Sequence, residues 1–191
     1  MRNKNLLAVI ISVTLLQGCV AAALVGVVGG ASVATDKRSI GNLIDDQSIE
    51  LKAHSLLSEI SALDNNTNIQ VVSVNGSVLV VGQAKNSYVK DIAIKAISKI
   101  KGIVQLHNQL RIGNLISVPT KTNDIWLTSK VKTALFSQEK MNATNIKVVT
   151  ENGEVFLLGL VSKDRAKQAI DIARNVGGVN RVFNIFEYQS K

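Results

Sequence analysis

The sequence contains one pattern written twice, and this internal repeat limits the fold more than any other feature of the chain. The segment NIQVVSVNGSVLVVG, residues 68–82, corresponds to NIKVVTENGEVFLLG, residues 145–159, at a constant offset of 77 residues. The identical pairs are Asn68/Asn145, Ile69/Ile146, Val71/Val148, Val72/Val149, Asn75/Asn152, Gly76/Gly153, Val78/Val155 and Gly82/Gly159. Such a duplication predicts two copies of one small supersecondary unit.

Each copy predicts the same order of secondary structure. Asn75-Gly76 and Asn152-Gly153 lie between β-branched runs, and Asn-Gly supplies the positive φ angles of a two-residue hairpin turn. Apolar residues then recur every three or four positions, which is typical of an amphipathic helix, and a last strand follows. Another helix precedes each hairpin, near 49–63 and 125–137, the second with Asp124 as its N-cap. The expected fold class is α+β: helix, strand, strand, helix, strand in each copy, with two helices covering a three-stranded mixed sheet.

The hairpins give two further expectations. Residues 78–81 and 155–158 are apolar without alternation, which indicates strands that are buried on both faces. Because two helices cover only one face of a small sheet, the other face is expected to pack on the sister copy. Gly82 and Gly159 are expected to let a strand end approach a helix closely.

The chain begins with the features of a bacterial export signal. Arg2 and Lys4 precede a charge-free apolar run of about 11 residues, 6–16, which is shorter than the roughly 20 residues that a membrane-spanning helix needs. Cys19, the only cysteine, follows this run. Two other interpretations remain open: Cys19 is an ordinary buried thiol, or residues 6–34 form one transmembrane helix.

The segment Leu16-Gln17-Gly18-Cys19 resembles the lipobox of bacterial lipoproteins. This resemblance implies removal of residues 1–18, diacylglycerol on the Cys19 thiol and a third acyl chain on its amine. A thiolate is a strong nucleophile near neutral pH, and three acyl chains anchor firmly where one is marginal. Val20, and not aspartate, follows Cys19, which by the sorting rule of enterobacterial lipoproteins implies the outer membrane, facing the periplasm.

Charge limits the class of partner. The formal net charge is +8, or +6 once Arg2 and Lys4 are removed with the signal. A basic surface suits nucleic acid, acidic proteins or anionic lipid. Because an exported chain meets phospholipid and lipopolysaccharide, nucleic acid is not expected as a partner.

The repeated motif resembles the BON domain, here in tandem. The second copy carries Asn152-Gly153-Glu-Val-Phe-Leu-Leu-Gly159 and Gly178-Val179-Asn-Arg-Val-Phe-Asn184, whereas the first departs at Gly102-Ile103. The resemblance implies BON domains at 46–112 and 124–191, joined by a linker at 113–123, after a lipidated and flexible tether at 19–45. It also implies phospholipid binding, because BON domains are described as phospholipid-binding modules.

Catalytic or metal-binding groups are not expected. His54 and His107 are the only histidines, and no cysteine or acidic cluster accompanies them at metal-ligand spacing. No pair of carboxylates recurs in both copies. The sequence therefore predicts a protein that is not an enzyme and that needs no cofactor.

Trp126, the only tryptophan, is the strongest candidate for a binding residue. At about 100° per residue it lies off the inward stripe of its helix, and an indole beside a lysine suits a membrane interface. The second half is also more basic: residues 113–191 hold eleven Lys/Arg and seven Asp/Glu, against seven and five in residues 46–112. The expected site for anionic phospholipid, phosphatidylglycerol or cardiolipin, comprises Trp126, Leu127, Lys130, Thr133 and Lys121.

Two alternatives to this site remain open at the level of sequence. Trp126 could cover the edge of the core, which would leave no lipid-facing ring. It could also anchor a protein partner, since tryptophan is common at interface hot spots. The chain would then be an interaction module that assists outer-membrane protein assembly or cell-wall remodelling.

The anchor prediction rests on one atom, the Cys19 sulfur. Cells that express the chain and are labelled with radioactive palmitate should incorporate label into the mature product, and Cys19→Ala should abolish both this label and membrane retention, because no other thiol is present. Labelling that survives Cys19→Ala would contradict the lipobox interpretation.

Overall fold

The computed structural model describes residues 40–138 and 141–189, and the expected signal peptide, Cys19 and the tether up to residue 39 lie outside this part. The first copy begins with α1 (Ile40–Ser58) and a short 3-10 turn (Ser61–Leu63). The remaining elements of this copy are β1 (Thr67–Val74), β2 (Ser77–Ala84), α2 (Ser87–Ile97) and β3 (Gln105–Ile112).

The second copy repeats this order. It begins with α3 (Val118–Phe136) and a 3-10 turn (Ala143–Asn145). The strands and helix that follow are β4 (Lys147–Glu151), β5 (Glu154–Val161), α4 (Lys163–Arg174) and β6 (Arg181–Tyr188). In each sheet the central strand pairs antiparallel with the first and parallel with the last. The expected α+β class, with two three-stranded mixed sheets, is confirmed.

Both hairpins turn at Asn-Gly as predicted. Asn75 and Gly76 have φ of 54° and 77°, and Asn152 and Gly153 have φ of 51° and 75°, which are the left-handed values of a two-residue hairpin loop. The register follows directly, with Val74 opposite Ser77 in the first hairpin.

The first helix of each copy begins earlier than predicted. α1 starts at Ile40, inside the expected tether, and α3 starts at Val118, inside the expected linker. Ser117 caps α3, since its hydroxyl accepts a hydrogen bond from the Thr120 N–H. Pro119, which lies within the expected linker, occupies the first turn, where a missing N–H costs nothing. Asp124 is therefore not the N-cap.

Asp124 instead lies in mid-helix, buried, and binds the hairpin of its own copy. Its carboxylate accepts hydrogen bonds from the N–H groups of Asn152, at 2.7 Å, and Gly153, at 2.8 Å. Asp46 of α1 does the same for Asn75 and Gly76. Each copy thus ties its first helix to its turn through one buried carboxylate, called here the turn clamp.

Gly82 and Gly159 have a different role from the one predicted. At φ of 123° and 147°, a Cβ on either residue would overlap a carbonyl oxygen of the segment that enters the hairpin, Asn68 or Asn145. The close approach is thus to strand β1 for Gly82 and to the last residue of the 3-10 turn for Gly159, and not to the helix that follows either glycine. Glycine is required here for both space and φ.

The two central strands are buried on both faces. In β2, Val78 and Val80 pack among the helices, whereas Leu79 and Val81 face the other way. This second face joins Val72 and Val74 of β1 to residues of the second copy, including Val149, Phe156 and Leu158, in one apolar cluster. The predicted docking of the two sheets is confirmed.

Polar contacts border this interface. Glu50 pairs with Lys147 at 2.7 Å, and Arg111 pairs with Glu154 at 2.6 Å. Gln83 donates to the Glu151 carboxylate on another side. The copies therefore form one packed body, with an apolar centre and a charged rim.

Removing a turn clamp should destabilise the fold. Asp124→Ala leaves the buried Gly153 N–H and the partly buried Asn152 N–H without their acceptor. Because hydrogen bonds to charged groups are the strong ones, we expect a loss of about 3 kcal/mol in the free energy of unfolding. Urea denaturation measures this loss. Asp171→Ala, at an exposed carboxylate on α4, is the control, and a loss of less than roughly 0.5 kcal/mol for Asp124→Ala, the range of ordinary surface substitutions, would show that the clamp is unimportant.

Candidate functional site

Helix α3 has apolar residues on two faces. Leu127, Val131 and Leu135 are buried in the core of the second copy. On the outward side, Val118, Ile125, Trp126 and Phe136 are 75%, 69%, 57% and 59% exposed. These four residues, called here the outer ridge, extend along a helix of 19 residues, which is about 27 Å long at 1.5 Å per residue.

Trp126 lies on this ridge beside Lys130. The Lys130 Nζ is 4.2 Å from the centroid of the indole ring and donates a hydrogen bond to the Gly177 carbonyl oxygen at 2.7 Å. Residues four apart are neighbours on a helix surface, so the sequence spacing produces this contact directly. The ring is more than half exposed, so the alternative in which it seals the core edge does not hold.

The structure brings together three of the five predicted site residues and places the other two elsewhere. Trp126, Lys130 and Thr133 share one side of α3, and Thr133 is exposed. Leu127 is fully buried and lies against Gly178, so it supports the helix from below and cannot contact a ligand. Lys121 points to the first copy, where its Nζ donates to the Asn68 Oδ1 at 2.7 Å.

Three ridge residues, Val118, Ile125 and Phe136, were missed by the sequence prediction. Val118 lay in the expected linker, and Ile125 and Phe136 lay at the ends of a helix that was judged only by its inward stripe. The available signal is the spacing of these three apolar residues, 7 and 11 positions apart, which places them on the face opposite Leu127.

Three of the four ridge positions are apolar in the second copy only. The turn clamps align Asp46 with Asp124, an offset of 78 residues. At this offset the α1 positions that correspond to Ile125, Trp126 and Phe136 are Gln47, Ser48 and Ser58, whereas Val118 corresponds to Ile40. Duplication therefore preserved the clamp and the core, whereas the outer face of the helix diverged.

A polar groove of about 540 Å³ runs along the side of α3 that faces the first copy. Its lining includes Lys121, Thr128, Lys132 and Glu151, together with Ile125 of the outer ridge. Burial raises the pKa of the Glu151 carboxyl above its usual 4.5, and the charge of Asp124 acts in the same direction, whereas the Gln83 hydrogen bond and Lys121 oppose the shift.

The described residues offer no other chemistry of note. Within 40–138 and 141–189, no three His, Cys, Asp or Glu side chains come together as a metal site. No helix in this same part of the chain has the length and apolarity to cross a bilayer. The outer ridge is thus the strongest candidate for a binding surface.

Comparison with known proteins agrees with the duplicated fold. The BON domain model matches residues 45–114 and 123–190. The chain is 40% identical over 183 residues to the outer membrane lipoprotein DolP of Haemophilus influenzae, covering 95% of both chains. It is 37% identical over 153 residues to the 21 kDa hemolysin of Actinobacillus pleuropneumoniae, covering 80% of this chain and 79% of the relative.

More distant similarities follow. The osmotically inducible protein Y of Escherichia coli strain K12 is 27% identical over 158 residues, covering 81% of this chain and 78% of the relative. Among solved structures, the C-terminal domain of CdsD from Chlamydia trachomatis aligns with 73% of this chain and 96% of its own, at 10% identity and a TM-score of 0.32. This last similarity is too distant to inform function.

The raised pKa of Glu151 predicts a pH dependence of stability. Because the folded state holds this proton more tightly than the unfolded state, the contribution is favourable below about pH 4.5 and is lost as the pH rises through the folded-state pKa. Glu151→Gln mimics the protonated form, so its stability relative to wild type should be greater near pH 7 than near pH 4.5. Urea midpoints at both pH values test this, with Glu59→Gln, an exposed carboxylate, as control; an equal difference at both pH values would contradict it.

Proposed function

The chain belongs to the BON domain family, and from that premise we propose that it is an outer-membrane lipoprotein, facing the periplasm, whose second BON domain binds anionic phospholipid and supports the integrity of the outer membrane. The observation that carries this proposal is the outer ridge: a line of exposed apolar side chains, with an indole and an ammonium group at its middle, on a helix that is fixed to the core from the opposite side.

The ridge has the composition of an interfacial helix. An indole has an apolar body and a polar N–H, which suits the headgroup depth of a bilayer. Val118, Ile125 and Phe136 add apolar area on the same face, and amphipathic helices of this kind lie in the plane of the interface. Exposed apolar side chains that lie together on one surface mark sites of interaction with a membrane or with another protein.

Charge favours anionic headgroups over neutral ones. Lys130 is fixed beside the ring by its bond to Gly177, and Lys132 is exposed on the neighbouring face. Each cation near an anionic surface contributes about 1 kcal/mol. Lys121 takes no direct part in this proposal, because it is bonded to Asn68 in the first domain.

The relatives support the anchor and the location. The Haemophilus influenzae relative is named an outer membrane lipoprotein and aligns along 95% of this chain, a span that includes the lipobox region. The same membrane would then hold the acyl chains and receive the ridge, so tethering raises the local concentration of the ridge at the surface.

The second candidate is a protein-interaction module that assists outer-membrane protein assembly or cell-wall remodelling. The half-exposed Trp126 fits this function too, because tryptophan is enriched at interface hot spots. A photoreactive residue at position 126 separates the two candidates in cells: lipid adducts favour the membrane, and one dominant protein adduct favours the alternative.

Lipid binding should depend on the indole. In a soluble form without residues 1–19, Trp126→Ala should weaken binding to phosphatidylglycerol or cardiolipin vesicles by about 2 kcal/mol, or some thirtyfold, from loss of buried apolar area. Co-sedimentation with these vesicles, compared with phosphatidylcholine vesicles, is the measurement.

Tyr88→Ala is the matched control, because Tyr88 is an aromatic residue of α2 with 67% exposure that lies off the ridge. It should bind as wild type does. Equal binding of the wild-type protein to all three lipids, or unchanged binding by a folded Trp126→Ala protein, would refute the proposal.

A further inference from the structure

The exposed edges of the two sheets are protected unequally. An edge strand presents free N–H and C=O groups that can pair with another chain, and proteins usually block such edges with short strands or with charged groups. Each three-stranded sheet here has two edges, β1 and β3 in the first domain and β4 and β6 in the second.

Three of the four edges carry a blocking feature. On β3, the Leu110 N–H donates to the Asn108 side chain at 3.1 Å, and the Leu110 C=O accepts from the Lys90 Nζ at 2.6 Å. On β6, the Phe186 N–H donates to the Asn184 side chain at 3.1 Å. β4 is only five residues long.

Strand β1 is eight residues long and is blocked at one end only. The Ser73 N–H donates to the Glu50 carboxylate at 2.8 Å, and the Ser73 C=O accepts from the Lys147 Nζ at 3.4 Å. The backbone N–H and C=O of Ser73 therefore point away from β2. Because outward and inward backbone groups alternate along an antiparallel pair, the N–H and C=O groups of Val71 and Ile69 also point away from β2.

The outward backbone groups of Ile69 and Val71 have no hydrogen-bond partner among residues 40–138 and 141–189. Beside them lies a groove of about 620 Å³ between α1 and β1. On the α1 side this groove is lined by Leu51, which is 65% exposed, by the half-buried Leu57 and by four polar residues, Gln47, Glu50, His54 and Ser58. The open edge and two leucine side chains thus lie together.

Charge and side-chain alternation describe what would fit. The ionisable residues in the groove lining are Glu50, His54 and Asp64, and because Glu50 is paired with Lys147, Asp64 supplies the negative charge of the groove. Ile69 and Val71 pack toward the helices. A strand placed beside them would direct every second side chain toward Leu51 and the others toward solvent.

We propose that this edge takes up an extended segment of another polypeptide as a fourth strand, with apolar side chains at alternate positions against α1 and a basic side chain at the end beside Asp64. Main-chain hydrogen bonds to Ile69 and Val71 supply affinity, and Leu51, Leu57 and Asp64 supply selectivity, as in other cases of strand addition. The site lies in the first domain and is independent of the lipid-binding proposal.

The test uses a labelled eight-residue peptide of alternating valine and lysine with the full chain in phosphatidylcholine nanodiscs, where neutral lipid does not attract the peptide. Fluorescence anisotropy should show saturable binding, and amide chemical shifts should change at Ile69 and Val71. A peptide of alternating valine and glutamate should bind at least about tenfold more weakly, because Asp64 repels its carboxylates.

Two variants locate the contact. Val71→Pro removes one outward N–H and should weaken peptide binding about tenfold. Leu51→Lys places a positive charge in the groove, which repels the lysines of the peptide, and should weaken peptide binding to a similar extent. Because Leu51 is exposed, this substitution does not affect the core, so it tests the proposal even if Val71→Pro fails to fold. Tyr88→Lys, which adds the same charge at an exposed site on α2, should bind as wild type does.

Absence of peptide binding, unchanged affinity in Leu51→Lys, or shifts confined to α3 would each overturn the proposal. The first result would mean that the edge does not accept a strand. The second would mean that the peptide binds elsewhere, and the third would place it on the outer ridge.

Discussion

The fold depends on the double-sided burial of two central strands, β2 and β5. Their apolar residues alternate between two covers, with helices on one side and the sister sheet on the other. At roughly 25 cal/mol per Å² of apolar area, exposing either face to water would cost more than a domain of this size can lose. The two domains therefore need each other, and the interface between them is part of the core. Phe156 and Phe183 of the second domain, stacked on each other at 4.7 Å, both belong to the apolar cluster at this interface.

A second constraint, the turn clamp, explains which surfaces were free to diverge. Asp46 and Asp124 fix the inward side of α1 and α3 by binding the hairpin N–H groups, and this requirement is the same in both domains. Positions on the outward side take no part in the clamp or in the core. Ser48 and the corresponding Trp126 therefore differ in residue type without destabilising the fold. For the same reason α1 borders a groove, whereas α3 carries the outer ridge.

Features of the structure that depend on a short-range sequence pattern can be predicted from the sequence. Features that depend on a contact between residues far apart in the sequence cannot. Asn-Gly turns, the helical period of α2 and α4 and the continuous apolar run of β2 all act locally, so the duplicated fold and even the docked sheets follow from the sequence. The partners of Asp124 and Lys121 lie 28 and 53 residues away, which no local pattern reveals. The outer ridge was hidden for another reason: apolar residues on two opposite faces cancel the one-sided pattern that marks an amphipathic helix.

The energetic scale of the ridge limits what it can do alone. One indole, three smaller apolar side chains and two or so lysines give an interfacial affinity of only a few kcal/mol, which is marginal and reversible at cellular concentrations. Three acyl chains at about 0.8 kcal/mol per CH₂ exceed this contribution many times over. On the proposed function, the anchor therefore holds the protein at the membrane, and the ridge determines orientation: when α3 lies in the interface, the second domain is fixed against the bilayer. Because the groove lies on the other domain, lipid contact leaves it free to bind.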